Sequence, residues 1–125
     1  MTRPILLFPD PRLKKLCAPV GRITPEIEAL ADEMLATMYA APGVGLAAPQ
    51  VGVLQRLFVM DCTKDAQAPR APLVMVDPEI VGTSEALNTY EEGCLSIPEQ
   101  YADVTRPKQV RLQWMGLDGK THEEE

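Results

Sequence analysis

The sequence predicts an α+β fold in which antiparallel sheets surround a helix. Three observations predict it. One apolar stripe at helical spacing runs from Ile27 to Met38. Short apolar runs follow it, the last of them alternating strictly with polar residues. An Asp-Gly turn near residue 118 closes a hairpin.

The elements follow in order. Residues 4–20 read as an extended arm: Ile5, Leu6, Leu7 and Phe8 are an apolar run, and Pro9-Asp10-Pro11 turns the chain. The helix spans Pro25 to Tyr39, with Thr24 as N-cap and Pro25 at the first helical position. Glu26 and Glu28 sit at the positive end of its dipole. Ile27, Leu30, Ala31, Met34, Leu35 and Met38 form its core-facing stripe, and Pro42-Gly43 ends it. Leu57 to Met60 and Leu73 to Val76 are apolar strands, the second stopped by Asp77-Pro78. Residues 63–72 between them are a polar loop. Val104 to Arg106 and Gln109 to Met115 are further strands; Val110, Leu112 and Trp114 face inward against Arg111 and Gln113. A return strand is expected from Thr121, so residues 1–125 read as one domain, incomplete at its C-terminus.

Composition narrows the class. The 125 residues are 46% hydrophobic and 24% charged, which fits a globular domain rather than a disordered chain. No run approaches the ~20 apolar residues of a membrane span, and the start Met1-Thr2-Arg3-Pro4 lacks a secretory pattern. A net charge of −6 argues against a nucleic-acid surface. Three cysteines at irregular spacing make no disulfide framework, so a reducing cytoplasm is expected.

Two segments carry chemistry. The first is Gly43-Val44-Gly45-Leu46-Ala47-Ala48-Pro49-Gln50. Its glycines permit close approach of a ligand or strand, and Gln50 can donate and accept hydrogen bonds at once. A tight helix-to-strand connection under the sheet explains it equally. It is no phosphate loop, because no Lys-Ser/Thr follows. The second is Glu91-Glu92-Gly93-Cys94-Leu95-Ser96-Ile97-Pro98. Read alone, Cys94 is a small buried hydrophobe or a ligand. The neighbouring carboxylates oppose a free thiolate nucleophile, whereas a metal ion would hold the thiolate deprotonated. Cys17 and Cys62 read as packing residues.

Together the segments resemble the peptide deformylases of the bacterial and organellar branch. These are metal hydrolases that remove the formyl group from the initiator methionine of new proteins. The Gly-x-Gly-x-Ala-Ala-x-Gln motif matches Gly43 to Gln50, and Glu-Gly-Cys-Leu-Ser matches Glu92 to Ser96. Leu7-Phe8-Pro9-Asp10-Pro11, Ile97-Pro98-Glu99 and Arg106 fit as well. The resemblance implies Cys94 as a thiolate metal ligand. It implies Gln50 and the Leu95 backbone N–H as donors to a tetrahedral oxyanion. Val44 and Gly45 match positions that line the methionine pocket and pair with the peptide backbone. Glu92 and Ser96 match scaffold positions. The metal would be Fe2+, exchangeable for Zn2+ or Ni2+. The substrates would be N-formylmethionyl peptides of nascent chains, near the ribosome in the cytoplasm, with no direct nucleic-acid contact and no membrane.

The family's later His-Glu-x-x-His helix is not in this sequence. That helix supplies two imidazole ligands and a general acid/base glutamate. The one histidine, His122, follows the Asp-Gly turn by three residues and is expected exposed on a strand, not on a ligand helix. Binding of the metal by Cys94 alone is therefore doubtful, and the 125-residue form is expected to be inactive. It is either a truncated deformylase or a naturally short, non-catalytic deformylase-like binding protein. Cys94 and Gln50 are expected to face one cleft. Val44 to Ala48, with Leu95, are expected to line an apolar trough.

Overall fold

The computed structural model describes residues 2–63 and 70–124. It is α+β, with a single α-helix among the described residues and two antiparallel sheets. The helix α1 runs Pro25–Ala40. The strands are β1 Gly45–Ala47, β2 Leu57–Met60, β3 Leu73–Thr83, β4 Leu87–Cys94, β5 Ile97–Pro107, β6 Val110–Met115 and β7 Thr121–Glu124. Five of them form one sheet in the order β1-β2-β3-β6-β7, and β4 pairs only with β5. Of the expected loop 63–72, residues 64–69 lie outside the described residues.

Local chemistry places α1. The Thr24 hydroxyl accepts from the Ile27 N–H at 3.3 Å, so the cap is built as expected. Ile27, Leu30, Ala31, Met34 and Met38 are buried, while Leu35 is half-buried and Thr37 takes a buried place beside the stripe. The Thr37 hydroxyl stays satisfied: it donates to the Glu33 carbonyl and accepts from the Arg3 N–H, both at 2.8 Å. The stripe packs on β1 and β2, where Leu46, Leu57 and Val59 complete the core with Val76 of β3. Each such side chain contributes about 1.5–3 kcal/mol when taken out of water.

Two expectations are corrected. Asp77-Pro78 does not stop the third strand. β3 continues to Thr83 through a bulge between Val76 and Glu79. Asp77 adopts φ 51°, and its carboxylate accepts the backbone N–H groups of Val20 at 2.7 Å and Gly21 at 2.9 Å. A residue in this left-handed conformation is held there by its surroundings, here the incoming arm. The second correction concerns residues 87–107. They form a long hairpin of which only Val104 to Arg106 was expected as strand.

The C-terminal hairpin matches expectation. Gly119 takes φ 78°, as the turn requires, and Trp114 pairs with His122. Trp114 is buried, Val110 and Leu112 are half-buried, and Arg111 and Gln113 are exposed. His122 lies on the strand as expected but is half-exposed, its ring stacked on Trp114 at 5.7 Å.

At the other end of α1, Tyr39 donates its hydroxyl to the buried carboxylate of Asp61 at 2.6 Å. That bond, with further ones from Thr63 and Ala71, holds the Asp61 carboxyl down to about 2. The Asp61 hydrogen bond, with burial and the carboxylate's charge, raises the Tyr39 phenol above its ordinary range. Because the folded state binds the Asp61 proton more weakly than the unfolded chain, its contribution is complete at neutral pH. It is lost as pH falls from the ordinary carboxylate range toward 2. Asp61→Asn should therefore flatten the acid limb of stability below about pH 4, where free Asp titrates, as read by urea unfolding at stepped pH. In the core, Leu46→Ala should cost about 2–5 kcal/mol by the same measurement at neutral pH.

Candidate active site

β1 is an edge strand that runs directly into a 3-10 helix, Ala48–Val51, closed by Gly52 at φ 86°. Leu46 and Ala48 are fully buried, so the segment is pinned from below. Gln50 rises from this helix, and its Oε1 accepts the Ala47 backbone N–H at 3.0 Å. That bond fixes the carboxamide's orientation and turns Nε2 outward, where its neighbours are acceptors. Nε2 donates to the Ser96 hydroxyl at 3.2 Å and lies 3.5 Å from the Cys94 sulfur.

Cys94 is the last residue of β4, and Ile97, its ladder partner, opens β5. The two-residue turn between them, Leu95-Ser96, buries the Ser96 side chain and leaves Cys94 exposed. The Leu95 side chain lies against Gly43, where an added Cβ would come within 2.8 Å of Leu95 Cδ1. The close approach is what glycine at 43 permits. Behind the turn, Arg106 of β5 holds Glu92 of β4 by two hydrogen bonds of 2.9 Å. The guanidinium keeps the Glu92 carboxyl below its usual range, and the carboxylate raises Arg106 in turn. The pair faces solvent and is screened, so it aligns the two strands more than it stabilises them.

These segments frame a cleft of about 800 Å³, bordered by Ile5, Ala41, Pro42, Gly43, Val44, Gly45, Gln50, Gly93, Cys94, Leu95, Ile97 and Tyr101. Gln50 and Cys94 thus face one space, as expected. Val44, Gly45 and Leu95 line it. Leu46, Ala47 and Ala48 do not: Leu46 of β1 and Ala48 at the start of the 3-10 helix turn into the core, and Ala47 lies outside the lining. Cys62 is exposed rather than a packing residue, and Cys17 is half-buried. Ile5 and Tyr101 are cleft residues that sequence reasoning missed. The apolar run at Ile5 was a usable signal, and nothing local marked Tyr101.

A catalytic metal ion takes three protein ligands and an open position. Among the described residues, no three His, Cys, Asp or Glu side chains converge. The cleft offers one soft donor, Cys94, and His122 is committed elsewhere, beside Asp118 at 3.3 Å and on Trp114. These residues alone do not fit a catalytic metal.

The polypeptide deformylase family matches residues 2–125, essentially the whole chain. The chain belongs to this family. It is 50% identical over 124 residues to the peptide deformylase of Rhodopseudomonas palustris strain BisB5, covering 98% of this chain and 71% of that protein. Its fold superposes with a TM-score of 0.91 on a peptide deformylase from Legionella pneumophila, at 41% identity, covering 99% of this chain and 71% of that one. The Met-Ala-Ser-bound class I type b peptide deformylase of Acinetobacter baumannii superposes equally, with TM-score 0.91, 33% identity, and coverage of 99% and 82%. The family is one of metalloenzymes.

Removing Gln50 should separate its two roles. Gln50→Glu keeps an acceptor for the Ala47 N–H, and its stability should stay near that of the parent. Gln50→Ala leaves that N–H without its partner and should cost about 0.5–1.5 kcal/mol. Urea unfolding of the two variants side by side measures the difference.

Proposed function

We propose that the site recognises N-formylmethionyl peptides of nascent chains and serves the hydrolysis of their formamide C–N bond. The observation that carries this reading is the meeting of Gln50 Nε2 and Cys94 Sγ, 3.5 Å apart at the cleft floor. Gln50, together with the Leu95 N–H, would donate to the oxygen on which negative charge develops when water adds to the formyl carbon. A preset donor of this kind is worth about 3–4 kcal/mol to the transition state. Ala47 fixes the Gln50 carboxamide, so this donor need not reorient.

Val44 and Gly45 would hold the peptide. β1 has no partner on its outer side among the described strands, and an extended peptide can add there as one more strand. A cleft of about 800 Å³ has room for a methionine side chain and the residues after it. The Met-Ala-Ser tripeptide named for the Acinetobacter relative supports a substrate beginning with methionine. The work would take place in the cytoplasm, near the ribosome. Among the described residues no helix is long and apolar enough to cross a membrane.

Cys94 would be one ligand of Fe2+, Zn2+ or Ni2+, an ion that supplies an activated water when fully held. Two further ligands and an acid/base carboxylate are needed, and the described residues do not assemble them. A second reading is a non-catalytic deformylase-like binding protein. Both readings give the 125-residue protein binding without turnover. Formyl-Met-Ala-Ser should shift the NMR signals of the Gly45 amide and the Gln50 carboxamide. No formate should be released, with or without added Fe2+ or Ni2+. Appending a helix with two histidines at i and i+4 and a glutamate between them should then give formate release that Cys94→Ala abolishes. The glutamate alone should account for ~10²–10⁴ of that rate. Binding that persists with no release from the extended protein is the outcome a binding module predicts. Formate release by the unextended protein that disappears in Cys94→Ala would show that Cys94 has ligand partners other than those considered.

A further inference from the structure

The two halves of the cleft belong to different sheets. Gln50 follows the edge of the five-stranded sheet, whereas Cys94 closes the first strand of the separate β4–β5 hairpin. No ladder joins those sheets, so something else must fix the distance between the two side chains.

Residues 5–8 run across both halves without belonging to either sheet. The Leu6 N–H donates to the Gln50 carbonyl at 2.7 Å, and the Phe8 N–H donates to the Ser96 carbonyl at 2.8 Å. The latter is the one main-chain hydrogen bond from the Cys94–Ile97 turn to the body of the molecule among the described residues. Two amides separated by one residue in extended chain lie about 6.5–7 Å apart. The segment therefore acts as a spacer of set length between the Gln50 carbonyl and the Ser96 carbonyl.

Side-chain packing holds only the start of the segment, where Ile5 and Leu6 are half-buried. Leu7 is 53% exposed and Phe8 57% exposed, so neither is held here by packing. The segment is anchored upstream, where the Arg3 N–H meets the Thr37 hydroxyl and the Arg3 guanidinium pairs with Glu33. Downstream, Asp10 caps the short helix Pro11–Lys14 and donates its own N–H to the Leu7 carbonyl.

We propose that the Leu6–Phe8 main chain is a positioning element for the Gln50–Cys94 separation, acting beside the Gln50–Ser96 hydrogen bond and the Leu95–Gly43 contact. Why that separation matters rests on the reaction proposed above. The spacing itself can be measured without turnover.

The test replaces single backbone amides by esters in the full 125-residue protein, in a Cys17→Ser, Cys62→Ser background. An α-hydroxy acid at position 8 removes the donor to Ser96 and keeps the side chain. The same change at position 7, whose N–H makes no hydrogen bond among the described residues, is the control. The position-8 ester should speed hydrogen exchange of the Leu95 to Ile97 amides roughly two- to tenfold. It should also move the Gln50 carboxamide NMR signals and change the rate at which iodoacetamide alkylates Cys94. Exchange at Thr89 and Thr105, further along the hairpin, should not change. Identical exchange and identical Gln50 signals in the position-7 and position-8 esters would overturn the proposal. Should the position-8 ester not fold, Arg3→Ala decides. It slackens the upstream anchor with every amide present, and unchanged turn exchange in that variant would likewise overturn the proposal. Absence of formate release would leave these readouts intact, so the two proposals fail separately.

Discussion

The cleft depends on how a two-stranded hairpin is held against a sheet with which it shares no ladder. The hairpin's own ladder is regular from Leu87 to Gly93, then shifts register so that Cys94 faces Ile97 across a two-residue turn. Three contacts bring that turn to the sheet's edge: the Phe8 N–H to the Ser96 carbonyl, the Gln50 carboxamide to the Ser96 hydroxyl, and Leu95 against Gly43. Each uses a different feature of the chain. An extended amide has an alternating donor direction, a carboxamide is a donor and acceptor in one group, and a glycine leaves room for a neighbour's methyl group. Because Gln50 Oε1 accepts from Ala47 while its Nε2 donates to Ser96 and lies beside Cys94, its orientation is coupled to both sides at once.

The sheet side of this arrangement is rigid for ordinary reasons. Met34 and Met38 of α1 pack with Leu46, Val59 and Val76, all with no solvent exposure. The Gly43–Gln50 segment is therefore floored by the core at Leu46 and Ala48. At the end of α1, the Gly43 N–H bonds to the Met38 carbonyl at 2.7 Å, and the Asp61 N–H holds the Val44 carbonyl at 2.9 Å. The cleft wall is thus set by the helix end and by β2 together.

The sequence made some of this legible and not the rest. α1 was readable because capping, dipole and periodicity all agree at Thr24, Glu26 and Ile27. β6 was readable because Val110, Leu112 and Trp114 alternate cleanly with polar neighbours. The meeting of Gln50 and Cys94 was readable from two motifs, not from periodicity. The β4–β5 hairpin was hidden because its residues are mostly exposed, so burial imposed no apolar pattern on them. Gly93 and Pro98 also look like strand breakers. β3 was cut short in the reading because Asp-Pro normally ends a strand. Here the break becomes a bulge, since the Asp77 carboxylate is filled by amides 56 and 57 residues away. A distant partner of that kind leaves no local trace. The Gly43–Gln50 stretch carried the opposite ambiguity: small residues suggested a loose connection, yet Leu46 and Ala48 are among the best-buried side chains.

Asp61 has a consequence for how the helix end and two strands depend on one another. Its carboxylate accepts the Thr63 N–H at 2.9 Å and the Ala71 N–H at 3.1 Å, so both feet of the intervening segment stand on one side chain. Arg70 adds its guanidinium over the Tyr39 ring at 4.1 Å. Tyr39 at the helix end, Thr63 after β2 and Ala71 before β3 therefore answer to one carboxylate, so removing it would release a helix end and two strand ends together.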